Sequence, residues 1–151
     1  MPLIRAISYR DILEAPNAAA LLDEYTAECS LPELGPTCPQ SHLYEAMERS
    51  GGLQAFGVYD SRTLIGFANV LSWVVPHYGT KIASTESIFL AGEYRKRGIG
   101  AGMLDFVEQY AKDNACKAFQ YTAPVGSRFA KMLAMNVGRY RRTNSVFLRS
   151  L

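Results

Sequence analysis

The chain has 151 residues, 48% of them hydrophobic and 20% charged, with a formal net charge of +2, which is enough apolar material for one core and asks for no nucleic-acid partner. Cys29, Cys38 and Cys116 share no CxxC spacing, and His42 and His77 stand outside any ligand spacing with them, so neither a disulfide framework nor a metal is expected. No run approaches the roughly 20 apolar residues that span a bilayer, and the opening Met1-Pro2-Leu3-Ile4-Arg5 has no basic segment leading an apolar one, so a cytoplasmic protein away from membranes, one domain over residues 1–151, is expected.

Residues 3–8 read as a short strand, after which Ala18, Leu21, Leu22 and Tyr25 recur at helical spacing behind Pro16, predicting a first amphipathic helix. Pro32, Gly35, Pro36 and Pro39 punctuate a loop, and Leu43 and Met47 suggest a second short helix that stops at Ser50-Gly51-Gly52. Two β-rich runs, 53–59 and 63–75, flank the polar connection Asp60-Ser61-Arg62 as a hairpin, and 82–90 adds a third strand after the 76–81 loop. Ile99, Met103, Phe106, Val107 and Tyr110 then lie on one helical face, with Asp105, Glu108 and Lys112 elsewhere, and this helix closes near Asn114. A strand over 117–123 stopped by Pro124, a helix over 126–136 stopped by Gly138, and a final strand over 144–148 complete the chain. The order β-α-α-β-β-β-α-β-α-β predicts an α/β fold with a central mixed sheet flanked by about four helices, in which strands 82–90 and 117–123 run parallel across a helical crossover.

Between that strand and that helix stands Tyr94-Arg95-Lys96-Arg97-Gly98-Ile99-Gly100-Ala101-Gly102. Glycines where a loop enters a helix leave the backbone amides open, and the helix N-terminus with three added cations favours an anion, most naturally a pyrophosphate. A P-loop is a poorer reading because no Gly-Lys-Ser/Thr follows. A dinucleotide fold is poorer too, because a meander of strands precedes the loop where a βαβ unit belongs.

The string Ser87-Ile88-Phe89-Leu90-Ala91-Gly92-Glu93-Tyr94-Arg95-Lys96-Arg97-Gly98-Ile99-Gly100 is similar to the acetyl-CoA motif of the GNAT acetyltransferases, R/Q-x-x-G-x-G/A after a central strand. Ala130-x-x-Leu133-x-x-x-x-Gly138 resembles that family's last helix. The resemblance implies an acetyl-CoA-dependent N-acetyltransferase that releases CoA and needs no metal, acting on a primary amine of a small molecule, peptide or protein by direct attack. It also implies cofactor contacts from Arg95, Lys96, Arg97, Gly98, Ile99, Gly100 and Ala101, with the backbone of Ile88, Phe89 and Leu90 pairing with the pantetheine arm, and it allows a homodimer. The competing expectation is a GNAT-like module that binds CoA or a partner without turnover.

Acyl transfer to an amine needs a base for the amine and a proton for the leaving thiolate. Glu86, nine residues before Arg95, matches where many family members place the base. The family's tyrosine acid would fall four residues before Gly138, where this chain has Ala134, so Tyr121 and Ser127 are the candidate donors, with Tyr140 and solvent behind them. Glu24, Tyr25, Glu28, Trp73 and Tyr78 are offered as an acceptor groove, against the reading that they are core aromatics and solvated carboxylates.

Overall fold

The computed structural model describes residues 2–151. Strand β1 (Leu3–Ile7) leads into a helix absent from the sequence expectation, α1 (Tyr9–Leu13). Ser8 starts it through a reciprocal cap: its Oγ accepts from the Asp11 amide at 3.2 Å while the Asp11 carboxylate accepts from the Ser8 amide at 2.8 Å, so two otherwise orphaned donors are satisfied. Helix α2 (Ala18–Cys29) and helix α3 (Ser41–Arg49) follow on either side of a 3-10 turn at Pro32–Leu34.

Strands β2 (Leu53–Asp60), β3 (Thr63–Val75) and β4 (Thr80–Leu90) form the expected meander, helix α4 (Ile99–Asp113) crosses over, and β5 (Phe119–Gln120) returns parallel to β4. The sheet order is β1-β2-β3-β4-β5, mixed as expected. Neighbouring strand residues bury opposite faces. Ala55, Leu64, Phe67 and Phe89 pack with Tyr9, Ile12 and Leu21 of α1 and α2, while Phe56, Ala68, Val70 and Ala83 pack with Val107 and Ala111 of α4. Both faces being covered explains why β2 and β3 read as nearly continuous apolar runs.

Two expectations near the C-terminus need correction. The strand expected over 117–123 is regular only at Phe119 and Gln120, which pair with Ala83 and Ser84. Past Gln120 the chain leaves the ladder, because the Tyr121 hydroxyl turns to Glu108 on α4 at 2.9 Å and Pro124 has no amide to give. The final strand expected over 144–148 does not form: residues 141–151 lie outside any helix or strand, with Val146 84% and Phe147 91% exposed. A strand needs a neighbouring edge for its amides, and the two-residue β5 provides almost none. The last helix, α5 (Arg128–Met135), is shorter than expected and none of its residues is fully buried.

A candidate active site between β4 and the start of α4

The register of β3 and β4 jumps at one point: Asn69 faces Ser87 and Val70 faces Thr85, leaving Glu86 as the extra residue of a β-bulge. A bulge re-aims a side chain. The exposed Glu86 therefore turns to the α1, α2 and α3 side of the sheet, the side also taken by its neighbour Ser87, whose Oγ accepts from the buried Asn69 amide at 2.9 Å. There the Tyr44 hydroxyl of α3 donates to Glu86 Oε1 at 2.8 Å. Tyr44 stacks on Tyr9 with ring centroids 3.8 Å apart and planes 2° from parallel. Tyr25 completes the group, set edge-on against Phe67 and Phe89. Burial, then the charge of Glu86, pushes the Tyr25 hydroxyl up to about 12 and raises Tyr9 as well. Beside the bulge, Asn69 Oδ1 and Thr85 Oγ1 are buried without a hydrogen-bond partner among the described residues.

Beyond Ser84 no strand among the described residues pairs with the outer edge of β4, so Ile88, Phe89 and Leu90 have β3 on one side, at Ala68, Phe67 and Gly66, and an open edge on the other. Ala91 and a 3-10 turn at Gly92–Tyr94 carry the chain to the glycines. Lys96 (φ 68°) and Gly98 (φ 76°) both adopt left-handed backbone, which turns the chain sharply at the entry to the helix. Gly98 is the N-cap of α4, and the Gly102 amide bonds to its carbonyl at 3.1 Å. The amides of Ile99, Gly100 and Ala101 are thus left without an intrahelical acceptor. A Cβ placed on Gly98 or Gly100 would meet no atom within 4 Å beyond the adjoining residues and the helix's own backbone, so no other part of the protein crowds these two positions. Open amides, a helix N-terminus and exposed Lys96 and Arg97 fit a pyrophosphate.

Arg95 makes its contacts within the protein. Its guanidinium donates to the Leu90 carbonyl at 2.8 Å, pairs with Glu28 of α2 at 2.9 Å, and lies over the Phe89 ring. Glu24 accepts from the Gly92 amide at 2.8 Å. Two carboxylates offered by sequence as acceptor ligands are thus engaged in tying α2 to the loop, while Trp73 and Tyr78 are exposed near the far end of the β3–β4 hairpin.

The two candidate proton donors lie elsewhere. Tyr121 packs against the α4 side of the sheet, opposite Glu86, and shares Glu108 Oε1 with the Tyr140 hydroxyl, each at 2.9 Å. Arg139 closes the cluster on Glu108 and Asp105 at 2.7 and 2.6 Å. Burial and the Glu108 charge push the Tyr121 hydroxyl above the ordinary tyrosine range, which weakens it as an acid. Ser127 Oγ caps α5 by accepting from the Ala130 amide at 3.0 Å. Sequence reasoning missed Tyr44 and Tyr9. The only signal was the position of Tyr44 within an amphipathic helix, which does not reveal a partner 42 residues away.

Residues 18–130 match the family described as Acetyltransferase (GNAT) family, and the chain belongs to that family: it is an N-acetyltransferase. Among characterised proteins it is 24% identical over 122 residues to an aminoglycoside N(6')-acetyltransferase type 1 of Acinetobacter baumannii, covering 79% of this chain and 77% of that one. Among solved structures, a ribosomal-protein-alanine N-acetyltransferase from Brucella melitensis biovar Abortus 2308 aligns with a TM-score of 0.74 at 19% identity, over 99% of both chains. The structure of AAC(6')-Iy in complex with the bisubstrate analog CoA-S-monomethyl-acetylneamine aligns with a TM-score of 0.71 at 17% identity, over 99% of this chain and 97% of that one. These structural likenesses concern the fold. Among the described residues, no helix is long and apolar enough to cross a membrane.

Proposed function

We propose that the chain transfers the acetyl group of acetyl-CoA to a primary amine of a small molecule or peptide, with Glu86 as the base. The observation that carries this reading is the pairing of an open, amide-lined helix start at Gly98–Ala101 with a bulged carboxylate at the preceding strand's free edge. Acetyl-CoA supplies an activated acetyl group as a thioester. The amides of Arg97, Gly98, Ile99, Gly100 and Ala101 would hold its pyrophosphate, with Lys96 and Arg97 adding charge, and the open edge at Ile88, Phe89 and Leu90 would pair with the amide-bearing arm as an added strand does. Arg95 keeps that loop in place through Leu90 and Glu28.

An amine of pKa about 10 is mostly protonated at neutral pH, so a base has to take its proton before attack. Glu86 Oε2, the oxygen not bonded to Tyr44, would accept it. For the leaving thiolate, Ser127 at the start of α5 is the better of the two candidate donors, since the Tyr121 proton is committed to Glu108 on the opposite face from Glu86. The aminoglycoside-acting relative supports a small-molecule acceptor. Three free thiols at Cys29, Cys38 and Cys116 support a reducing, cytoplasmic setting.

The test is release of free CoA thiol from acetyl-CoA across a panel of small amines, aminoglycosides and N-terminal peptides. Turnover with at least one amine class is expected, with Glu86→Gln slower by roughly 10- to 1000-fold and partly recovered at higher pH, where free amine is abundant. Wild-type turnover and an unchanged pH profile in Glu86→Gln would remove Glu86 from the mechanism.

A further inference from the structure

We propose that Tyr44 is a positioning residue for Glu86, fixing Oε1 of the carboxylate so that Oε2 stands ready for the acceptor's proton. This rests on the reading of Glu86 as the base. An exposed glutamate at a bulge has several rotamers of similar energy, and the Tyr44 hydroxyl at 2.8 Å is the one side-chain hydrogen-bond partner found for Glu86 among the described residues. A hydrogen bond to an ionised acceptor is stronger than a neutral one, which suits it to select a single rotamer.

The donor itself is held rigidly. Its ring is stacked on Tyr9, Tyr9 is buried in the core beside Ile12 and Leu21, and the Tyr9 amide donates to Glu48 of α3 at 2.6 Å. Helices α1 and α3 therefore form one bracket, with the Tyr44 hydroxyl as its tip. Burial and the neighbouring Glu86 carboxylate push the Tyr44 hydroxyl well above the ordinary tyrosine range, so it keeps its proton throughout the working pH range. It can aim the carboxylate but is a poor acid, which separates positioning from proton transfer. The same contact explains the use of the bulge: without the extra residue, position 86 would follow the strict alternation of the strand and face away from Ser87.

Tyr44→Phe removes the hydroxyl and keeps the stack, so it is the clean variant. With acetyl-CoA and the best amine of the panel, kcat is expected to fall roughly 5- to 100-fold, with the KM for acetyl-CoA and the melting temperature near wild type. In the Glu86→Gln background the same substitution is expected to change kcat less than twofold, because Tyr44 acts only through the carboxylate. A drop of equal size in both backgrounds, or none in the wild-type background while Glu86→Gln is slow, would overturn the proposal. If Glu86→Gln itself is not slow, the base reading fails instead. A measurement free of any acceptor decides the contact directly. The Tyr44 ring ζ-carbon NMR signal, assigned by its loss in Tyr44→Phe, is expected to shift on Glu86→Gln at neutral pH while that of Tyr121 stays put. An unmoved Tyr44 signal would overturn the proposal.

Discussion

Arg95 ties down the loop to which the proposed function assigns CoA. Its three contacts, the Leu90 carbonyl, Glu28 and the Phe89 ring, join the end of β4 to α2. Arg95→Ala should therefore cost about 1 kcal/mol, since the pair is partly exposed and screened, and show as a lower melting temperature. CoA affinity should fall modestly as the loop loosens. Gly98 differs: at φ 76° any L side chain strains the backbone, so Gly98→Val mixes folding and binding effects. The glycines and the cations were legible in sequence because local backbone chemistry demands them. The setting of Glu86 was not, since the bulge is a matter of β3–β4 register and the Tyr44 contact joins residues far apart in the chain.

At the scale of elements, the polar cluster on Glu108 does for the C-terminal region what a strand ladder would otherwise do. Tyr121, Arg139 and Tyr140 all bond to this one carboxylate, fixing the chain after β5 and after α5 onto α4. Glu108→Ala leaves two half-buried hydroxyls without their acceptor and should destabilise by about 1–3 kcal/mol. Hydrogen exchange should accelerate over residues 119–140 while β2 and β3 remain protected; uniform protection would show the cluster is dispensable. The meander and α4 were readable from period and turn residues. Helix α1 was too short to give a periodic signal, though Ser8 and Asp11 at capping distance marked its start. The strand reading of 144–148 failed because alternation describes a segment's faces and not whether an edge awaits it.

For the whole molecule, the tyrosines held partly out of water set its response to alkali. Tyr9, Tyr25, Tyr44, Tyr110, Tyr121 and Tyr140 are all raised, with burial the leading cause for each. A tyrosine raised in the fold keeps its proton where the unfolded chain has lost it, so its stabilisation is complete below pH about 10 and is lost as pH rises through the folded value. For Tyr25 that window runs from 10.0 to about 12. Denaturant midpoints should fall steadily above pH about 10, and Tyr25→Phe should make that fall shallower; an unchanged slope would contradict the assignment.

The reading of the molecule as a CoA-dependent enzyme depends on the clear space over the first amides of α4. Calorimetric titration of CoA into the wild-type chain and into Gly100→Val tests it most directly. A Cβ at Gly100 meets no atom within 4 Å beyond its chain neighbours and its own helix backbone, so the valine should fold with a melting temperature close to wild type, yet its branches occupy the space an anion would need. The account predicts saturable CoA heat in the wild type, little from ATP or NAD, and none in Gly100→Val. Equal CoA binding by both chains, or no CoA binding by the wild type at millimolar concentration, would contradict it.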